Sequence, residues 1–355
     1  MPQKATPFLF MRGGTSRGPF FNSADLPEDR EALADFLIHA IGAGHPLNID
    51  GIGGGNAVTT KVAMLSPSDH DWAEIDYFFA QVSVEKRTVD FKPSCGNMLA
   101  GVGPAAIEMG LIPAGSETTW VCIRNTNTEA LIEAEVRTPG GTVEYAGEAR
   151  IDGVPGTAAP VLLNFMEVIG SKTGALLPTG NAVDTIGGVD VTLIDVAVPM
   201  VIGRARDFGL SGYETKAELD ANEDYFARME AIRIEAGVLM GLGDVSESVV
   251  PKFAVLAEPK DGGTVAARYF MPWDTHPAMA VTGSICIGAC CIVPGTVAEG
   301  IANAPETSPA PVQIEHPMGA IDVAMSFSTD GAFQLNRAGV LRTARKLASG
   351  EIFVP

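Results

Sequence analysis

The chain has 355 residues, 46% of them apolar and 19% charged, and a net charge of −19 from 24 basic and 43 acidic side chains. That balance excludes a disordered chain, which needs low hydrophobicity and high charge. It also argues against a nucleic-acid or anionic-membrane surface, both of which require a basic patch. A small anionic ligand in a locally basic pocket stays open, and the length fits about two domains.

Near the N-terminus only Phe8, Leu9 and Phe10 form an apolar run before Arg12, so no signal peptide is expected. Arg12-Gly13-Gly14-Thr15-Ser16-Arg17-Gly18 follows. Its glycines let backbone N–H groups converge, and its hydroxyls and guanidiniums could hold a carboxylate. The alternative is an ordinary turn between a strand and Pro19-Phe20-Phe21. From Asp29 to Ala43 the residues Leu33, Phe36, Leu37, Ala40 and Ile41 fall on one helical stripe. The loop Gly51-Ile52-Gly53-Gly54-Gly55-Asn56 ends in Asn where a dinucleotide fingerprint needs Gly, and no Gly precedes Lys61 as a P-loop requires. Strands are predicted over Val58–Leu65, Ile75–Val84, Trp120–Ile123 and Ala130–Val136, with a turn at Thr138-Pro139-Gly140-Gly141. Lys61 sits inside the first of these, either as a functional amine or as a solvated lysine on an edge strand.

Two segments, Cys95 to Gly110 and Gly283 to Val293, are apolar on every side. Such helices are buried rather than amphipathic. Cys95 begins the first. A helix start favours thiolate and presents the Gly96 and Asn97 amides to an anion, while a small buried cysteine is the plain alternative. The second opens with Thr282-Gly283-Ser284, which has hydroxyls and no thiol. Cys122, Cys286, Cys290 and Cys291 lie in apolar runs and are expected in the core. Further strands are predicted over Asp190–Ile202, Phe253–Ala257, Val265–Phe270 and Ile321–Ser326. A helical region spans Tyr213–Met240 with Ala217, Leu219, Tyr225, Met229 and Ile232 inward. Two strand sets, each around one buried helix, predict a pseudo-twofold α+β protein. Five cysteines without a C-x-x-C pair predict no disulfide framework or zinc ribbon and point to a reducing cytoplasm. His276 has no second histidine at metal-ligand spacing. The longest apolar run, Ile285 to Val293, is far short of the roughly 20 residues of a membrane helix.

The motifs MRGGTSRG (11–18), IDGIGGGN (49–56), TTKVA (59–63), CGNMLAGVG (95–103), IDGVPGTAAP (151–160), LLPTGN (176–181) and LRTARKL (341–347) together resemble the PrpF-like isomerase family. That family includes 4-oxalomesaconate tautomerase, methylitaconate isomerase and an aconitate isomerase, and the resemblance covers essentially the whole chain. It implies two pseudo-symmetric diaminopimelate-epimerase-like domains, each a rolled β-sheet around a central apolar helix. These are expected over residues 1–180, completed by 340–355, and 181–339. It also implies that Lys61 and Cys95 flank the substrate as the catalytic pair. Thr15, Ser16, Arg17, Asn56, Gly96, Asn97, Thr282, Gly283 and Ser284 would line the cleft. The implied reaction is a 1,3-allylic proton shift on an unsaturated di- or tricarboxylate such as 4-oxalomesaconate, with no metal or other cofactor. A homo-oligomer is compatible with this. Two departures stand out: Arg17 replaces the usual Lys of the first motif, and Pro272-Trp273-Asp274-Thr275-His276 replaces a more basic stretch found in members assigned to oxalomesaconate. A racemase or epimerase of the same fold, which needs a thiol on each side of the substrate, and a non-catalytic carboxylate-binding protein are the alternatives.

Overall fold

The computed structural model describes residues 3–166, 168–330 and 333–355. The chain divides into two compact units, one ending at Asn164 and completed by Leu341–Pro355, the other Phe165–Val340. Residues 165–180, grouped above with the first half, therefore belong to the second.

The first unit contains β1 (Lys4–Gly13), β2 (Ser16–Asn22), α1 (Arg30–Ile41), β3 (Lys61–Pro67), β4 (Ile75–Val82), β5 (Val89–Asp90), α2 (Gly96–Leu99), α3 (Val102–Glu108), β6 (Thr118–Asn125), β7 (Ala130–Arg137) and β8 (Pro160–Phe165). The second contains β9 (Asp184–Ile186), β10 (Val189–Val196), β11 (Val198–Arg204), α4 (Lys216–Asp220), α5 (Glu223–Leu239), β12 (Lys252–Ala257), β13 (Val265–Phe270), α6 (Val281–Ile292), β14 (Ala310–His316) and β15 (Gly319–Ser328). The last strand, β16 (Gln334–Val354), gives its start to the second unit and its remainder to the first.

The units repeat one topology. In the first, β1–β2, β3–β4 and β6–β7 are antiparallel pairs, joined by the parallel pairs β2–β3 and β4–β6. In the second, β10–β11, β12–β13 and β14–β15 are antiparallel, joined by the parallel pairs β11–β12 and β13–β14. The helix α1 falls between β2 and β3 as α4 and α5 fall between β11 and β12. Likewise α2 and α3 fall between β4 and β6, as α6 falls between β13 and β14. In the first unit β16 pairs back onto β1, so the strand path returns to its beginning. The apolar helices pack against these sheets: α2 and α3 on β1, β2, β3, β6 and β7, and α6 on β10, β11, β14 and β15.

Local physics sets the boundaries. Asp29 caps α1, its carboxylate accepting from the Glu31 and Ala32 amides at 3.0 and 2.8 Å, and Gly42 ends it in the left-handed region at φ 76°. The first buried segment is two short helices rather than one, because Pro104 has no N–H to offer the Ala100 carbonyl. The strand expected over 190–202 is a hairpin turning at Ala197, which takes φ 62°. The region 213–240 breaks at Asn222, which caps α5, and Ala217 is exposed rather than inward. Its other expected inner residues, Leu219, Tyr225, Met229 and Ile232, are buried with Phe253 and Phe270 in one cluster.

Candidate active site

The glycines of the first motif let a hairpin tip touch a helix. A Cβ on Gly13 would strike the Asn97 carbonyl, and Gly14, at φ 50°, faces the Asn97 side chain. With both side chains absent, Asn97 clamps the tip: its amide donates to Thr15 Oγ1 at 3.0 Å and its Oδ1 accepts from the Thr15 amide at 3.4 Å. Cys95 is the residue before α2 and is 9% exposed. Its carbonyl accepts from the Tyr77 hydroxyl at 3.2 Å. Tyr77 is fully buried; burial first and the neighbouring Cys95 second push its pKa well above the ordinary value. It is therefore a fixed neutral donor under Cys95.

Lys61 is the first residue of β3 and pairs with Gln81 on β4. Lys61, Ala63, Phe79 and Gln81 share the face toward α2, the face on which Tyr77 reaches Cys95. The Lys61 ammonium donates to Gln81 Oε1 at 2.7 Å and lies 5.2 Å from the centre of the Phe79 ring. Gln81 cannot turn over, because its amide nitrogen donates to Thr60 Oγ1 at 3.1 Å and the Ala57 carbonyl at 3.2 Å. Among the described residues no carboxylate pairs with Lys61. Gly18 is required here too, since a Cβ would run into the Lys61 carbonyl. No hydrogen bond joins Lys61 to Cys95; about four residues of β4, roughly 13 Å of strand, separate Gln81 from Tyr77.

The other expected residues divide. Ser16 is 2% exposed, and its hydroxyl has no hydrogen-bond partner among the described residues. The parallel register of Phe20 with Ala63 sets Ser16 and Gly18 on the Lys61 face and Arg17 on the opposite one. There Arg17 stacks 5.8 Å from the Phe10 ring. It borders a cavity of about 620 Å³ with Thr15, Ser16, Thr59, Arg12, Arg345 and residues 145–158. Arg12 spends donors on the Gly14 and Thr343 carbonyls at 2.8 and 2.9 Å, locking the hairpin to β16. Asn56 is an exposed cap: its Oδ1 accepts from the Val58 amide at 3.1 Å and its own amide donates to Thr59 Oγ1 at 3.2 Å. Its glycine-rich loop thus packs and caps.

In the second unit, a Cβ on Gly283 would collide with the Tyr269 ring, so this glycine serves close packing of α6 on β13. Ser284 is fully buried and donates to the Val281 carbonyl at 2.8 Å, which spends the hydroxyl expected to meet a ligand. Thr282 is half-buried in the first turn. Burial lowers the His276 pKa, and its Nδ1 accepts from the Ala278 amide at 3.0 Å. Arg268 donates to the Glu214 and Ala267 carbonyls at 2.7 and 2.9 Å. Trp273 is exposed, and Asp274 pairs with Lys216, which also holds Asp220 at 2.7 Å. Cys286, Cys290 and Cys291 are buried; burial pushes all three thiols up, Cys290 to about 11. Cys122, expected in the core, is half-buried beside Glu74 and Glu133, and its pKa is raised by burial first and those charges next. Among the described residues no group of three or more His, Cys, Asp or Glu could hold a metal, and no helix is long and apolar enough to cross a membrane.

Residues 3–355 match the family model described as PrpF protein. The chain is 46% identical to the (4E)-oxalomesaconate Delta-isomerase of Novosphingobium sp. (strain KA1), over 99% of this chain and 98% of that one. It is 42% identical to the 4-oxalomesaconate tautomerase of Pseudomonas putida, over 100% and 97%. The crystal structure of a methylitaconate-delta-isomerase superposes with a TM-score of 0.88 at 34% identity, over 100% of this chain and 96% of that one.

Proposed function

This chain belongs to the PrpF family and is an isomerase, and from that premise we propose that it moves a carbon–carbon double bond in an unsaturated di- or tricarboxylate, 4-oxalomesaconate being the leading candidate. We read its two topologically matched units as the pair of diaminopimelate-epimerase-like domains. The observation that carries the reading is the face shared by Lys61 and Tyr77-anchored Cys95, with the unpartnered hydroxyl of Ser16 on the same face.

In this reading Lys61, as free amine, takes a proton from the carbon next to the double bond. The electron pair moves into the conjugated system and charge grows on a carbonyl or carboxylate oxygen. Ser16, Thr15, Asn97 and the Gly96 amide supply donors to that charge. The Cys95 thiol returns a proton at the far carbon, and exchange with water resets the ammonium–thiolate pair. No cofactor enters these steps. Arg17 leaves β2 on the face opposite Ser16 and borders the same cavity as Thr15 and Ser16. The racemase reading needs a second thiol, and the cysteines of α6 are buried with raised pKa values.

Proton NMR in heavy water tests the proposal: an unsaturated polycarboxylate should isomerise and take up deuterium at the allylic carbon. Lys61→Met should lower kcat about 10²–10⁴-fold, the range for loss of a general base. A Lys61→Met enzyme with near wild-type kcat would sink the mechanism.

A further inference from the structure

Two motifs of the sequence have no part in the proposed reaction, and the fold brings them to one place. The segment IDGVPGTAAP (151–160) and the segment LRTARKL (341–347) both line the cavity of about 620 Å³, the second through Thr343, Arg345 and Leu347. All the lining residues belong to the first unit.

Strand register shows what faces this cavity. On β1, Leu9, Met11 and Gly13 are buried, and Gly13 lies against the Asn97 carbonyl of α2. Arg12 therefore leaves β1 by the other face. It pairs with Arg17 of β2 on one side and with Arg345 of β16 on the other. Residues directly opposite one another share a face, so three guanidiniums stand in a row across three neighbouring strands. Strands about 4.8 Å apart set the roots of the outer two about 10 Å from each other.

Like charges directly opposite destabilise a sheet, and nothing here offsets them. No aspartate or glutamate lines the cavity, and among the described residues Arg17 and Arg345 have no hydrogen-bond or ion-pair partner. The Arg12 bonds to the Gly14 carbonyl and to Thr343 all run from Nη1, so its Nε and Nη2 hydrogens have no acceptor among the described residues. Burial first and the Arg345 charge second lower the Arg12 pKa. A chain of net charge −19 thus lines one cavity with three cations and no acid. The segment from residue 145 to 158 is held in place: the Tyr145 hydroxyl donates to Glu108 Oε1 at 3.2 Å, Lys346 binds Glu108 Oε2 at 2.7 Å, and Ala149 bridges Ala158. Ile151, Val154 and Pro155 give that segment an apolar lining.

We propose that this cavity binds a small organic polyanion other than the molecule being isomerised. Its carboxylate or phosphate groups sit on Arg17, Arg12 and Arg345, and its carbon skeleton on Ile151, Val154 and Pro155. A guanidinium fork takes two oxygens of either group, and the volume falls within the roughly 300–1,000 Å³ of small-ligand sites. The second molecule is separate from the reacting one because the arginine row and Lys61 occupy opposite faces of the sheet. The proposal does not depend on the isomerase reading.

Propane-1,2,3-tricarboxylate and inorganic pyrophosphate serve as probes, titrated by calorimetry into wild type, Arg345→Met and Arg17→Met, with kcat and KM measured alongside. The wild type should bind at least one probe, and the tighter of the two tells a carboxylate ligand from a phosphorylated one. Both substitutions should raise its Kd by about tenfold or more, with kcat and KM within a few-fold of wild type. Arg345→Lys should recover part of the loss, and Arg345→Glu should remove one bound molecule from the stoichiometry. Arg345→Gln provides a second variant where Met fails to fold. Failure of wild type to bind either probe would overturn the proposal, as would an unchanged Kd in Arg345→Met or Arg345→Gln. So would a KM that rises in step with Kd in Arg345→Met, because the row would then belong to the substrate's own site. A wild-type protein that turns over no polycarboxylate would sink the isomerase reading alone, and the titrations would still decide whether the arginine row binds a polyanion.

Discussion

Gln81 offers a test of Lys61 whose sign and size follow from the geometry. Gln81→Glu places a carboxylate where the amide oxygen lies 2.7 Å from the ammonium. Two unit charges about 4 Å apart attract by about 4 kcal/mol at an effective dielectric constant near 20, and water at this half-buried position lowers that. An opposite charge this close raises a lysine pKa by about 1–3 units. If Lys61 must be unprotonated to take the allylic proton, the rising limb of log(kcat/KM) against pH should shift up by the same amount. Activity at a fixed pH on that limb should then fall about 10- to 1,000-fold. The plateau at high pH should return toward the wild-type value, which separates a titration effect from damage to the fold. Gln81→Met removes the acceptor without adding charge, so its limb should move in the opposite sense. The Glu variant also loses the amide donors to Thr60 and Ala57, so a thermal melt must accompany the profile. Identical profiles for wild type and Gln81→Glu would refute the role of Lys61 as a titrating base.

Cys95→Ser should lower kcat at least about 100-fold while KM changes little, because a hydroxyl is a far weaker acid than a thiol; Cys290→Ser, in the α6 core, should change Tm and leave kcat alone, and equal kcat losses at the two positions would contradict this division. Gly18→Ala should unfold or strongly destabilise the first unit, since its Cβ would strike the backbone of Lys61 across β2–β3; a wild-type melt would show that the strands can part. Glu315 is buried, which raises its pKa, but the Lys260, Asp261 and Gly263 amides at 2.7, 2.8 and 2.9 Å outweigh that and hold it below the ordinary value. Its stabilisation is present above the unfolded pKa of about 4.3 and lost as pH falls through the folded one. The Tm gap between wild type and Glu315→Gln should therefore be full near pH 6 and close below about pH 4, and a gap as wide at pH 3 as at pH 6 would exclude the charge as its source.

Long periodic elements were legible from the amino-acid order, and their breaks were not. The stripe from Leu33 to Ile41 and the cap at Asp29 identify α1 without any tertiary information. The interruption at Pro104 is visible in the sequence, yet a buried helix can absorb a proline as a kink, so periodicity alone does not split it. Ala197 gives no turn signal, because an alanine at φ 62° is imposed by the β10–β11 hairpin rather than by its own preference. The strand β16 alternates polar and apolar residues too irregularly to announce 21 residues of sheet. Gln81 carried a faint signal as the polar residue of Ile75–Val82 that faces the same side as Phe79, but its meaning depends on Lys61 lying opposite, and pairing register is a tertiary fact.

Register also decides what a motif can mean. Ser16 and Arg17 are neighbours in one contiguous motif, and reading that motif as one anion-binding loop assigns both to the same ligand. In a strand, adjacent side chains leave opposite faces, so Ser16 starts on the side of Lys61 and Arg17 on the other, although both border one cavity at the end of β2. The pairing of Ala63 with Phe79 likewise turns Lys61 toward α2. Strand position and face, rather than closeness along the chain, therefore select the residues a ligand can meet. An Arg17→Met enzyme should accordingly keep its KM within a few-fold of wild type while Ser16→Ala does not. The opposite ranking, measured on one substrate at one pH, would show that the hairpin tip turns Arg17 back onto the face of Lys61 and that the alternation fails at the end of β2.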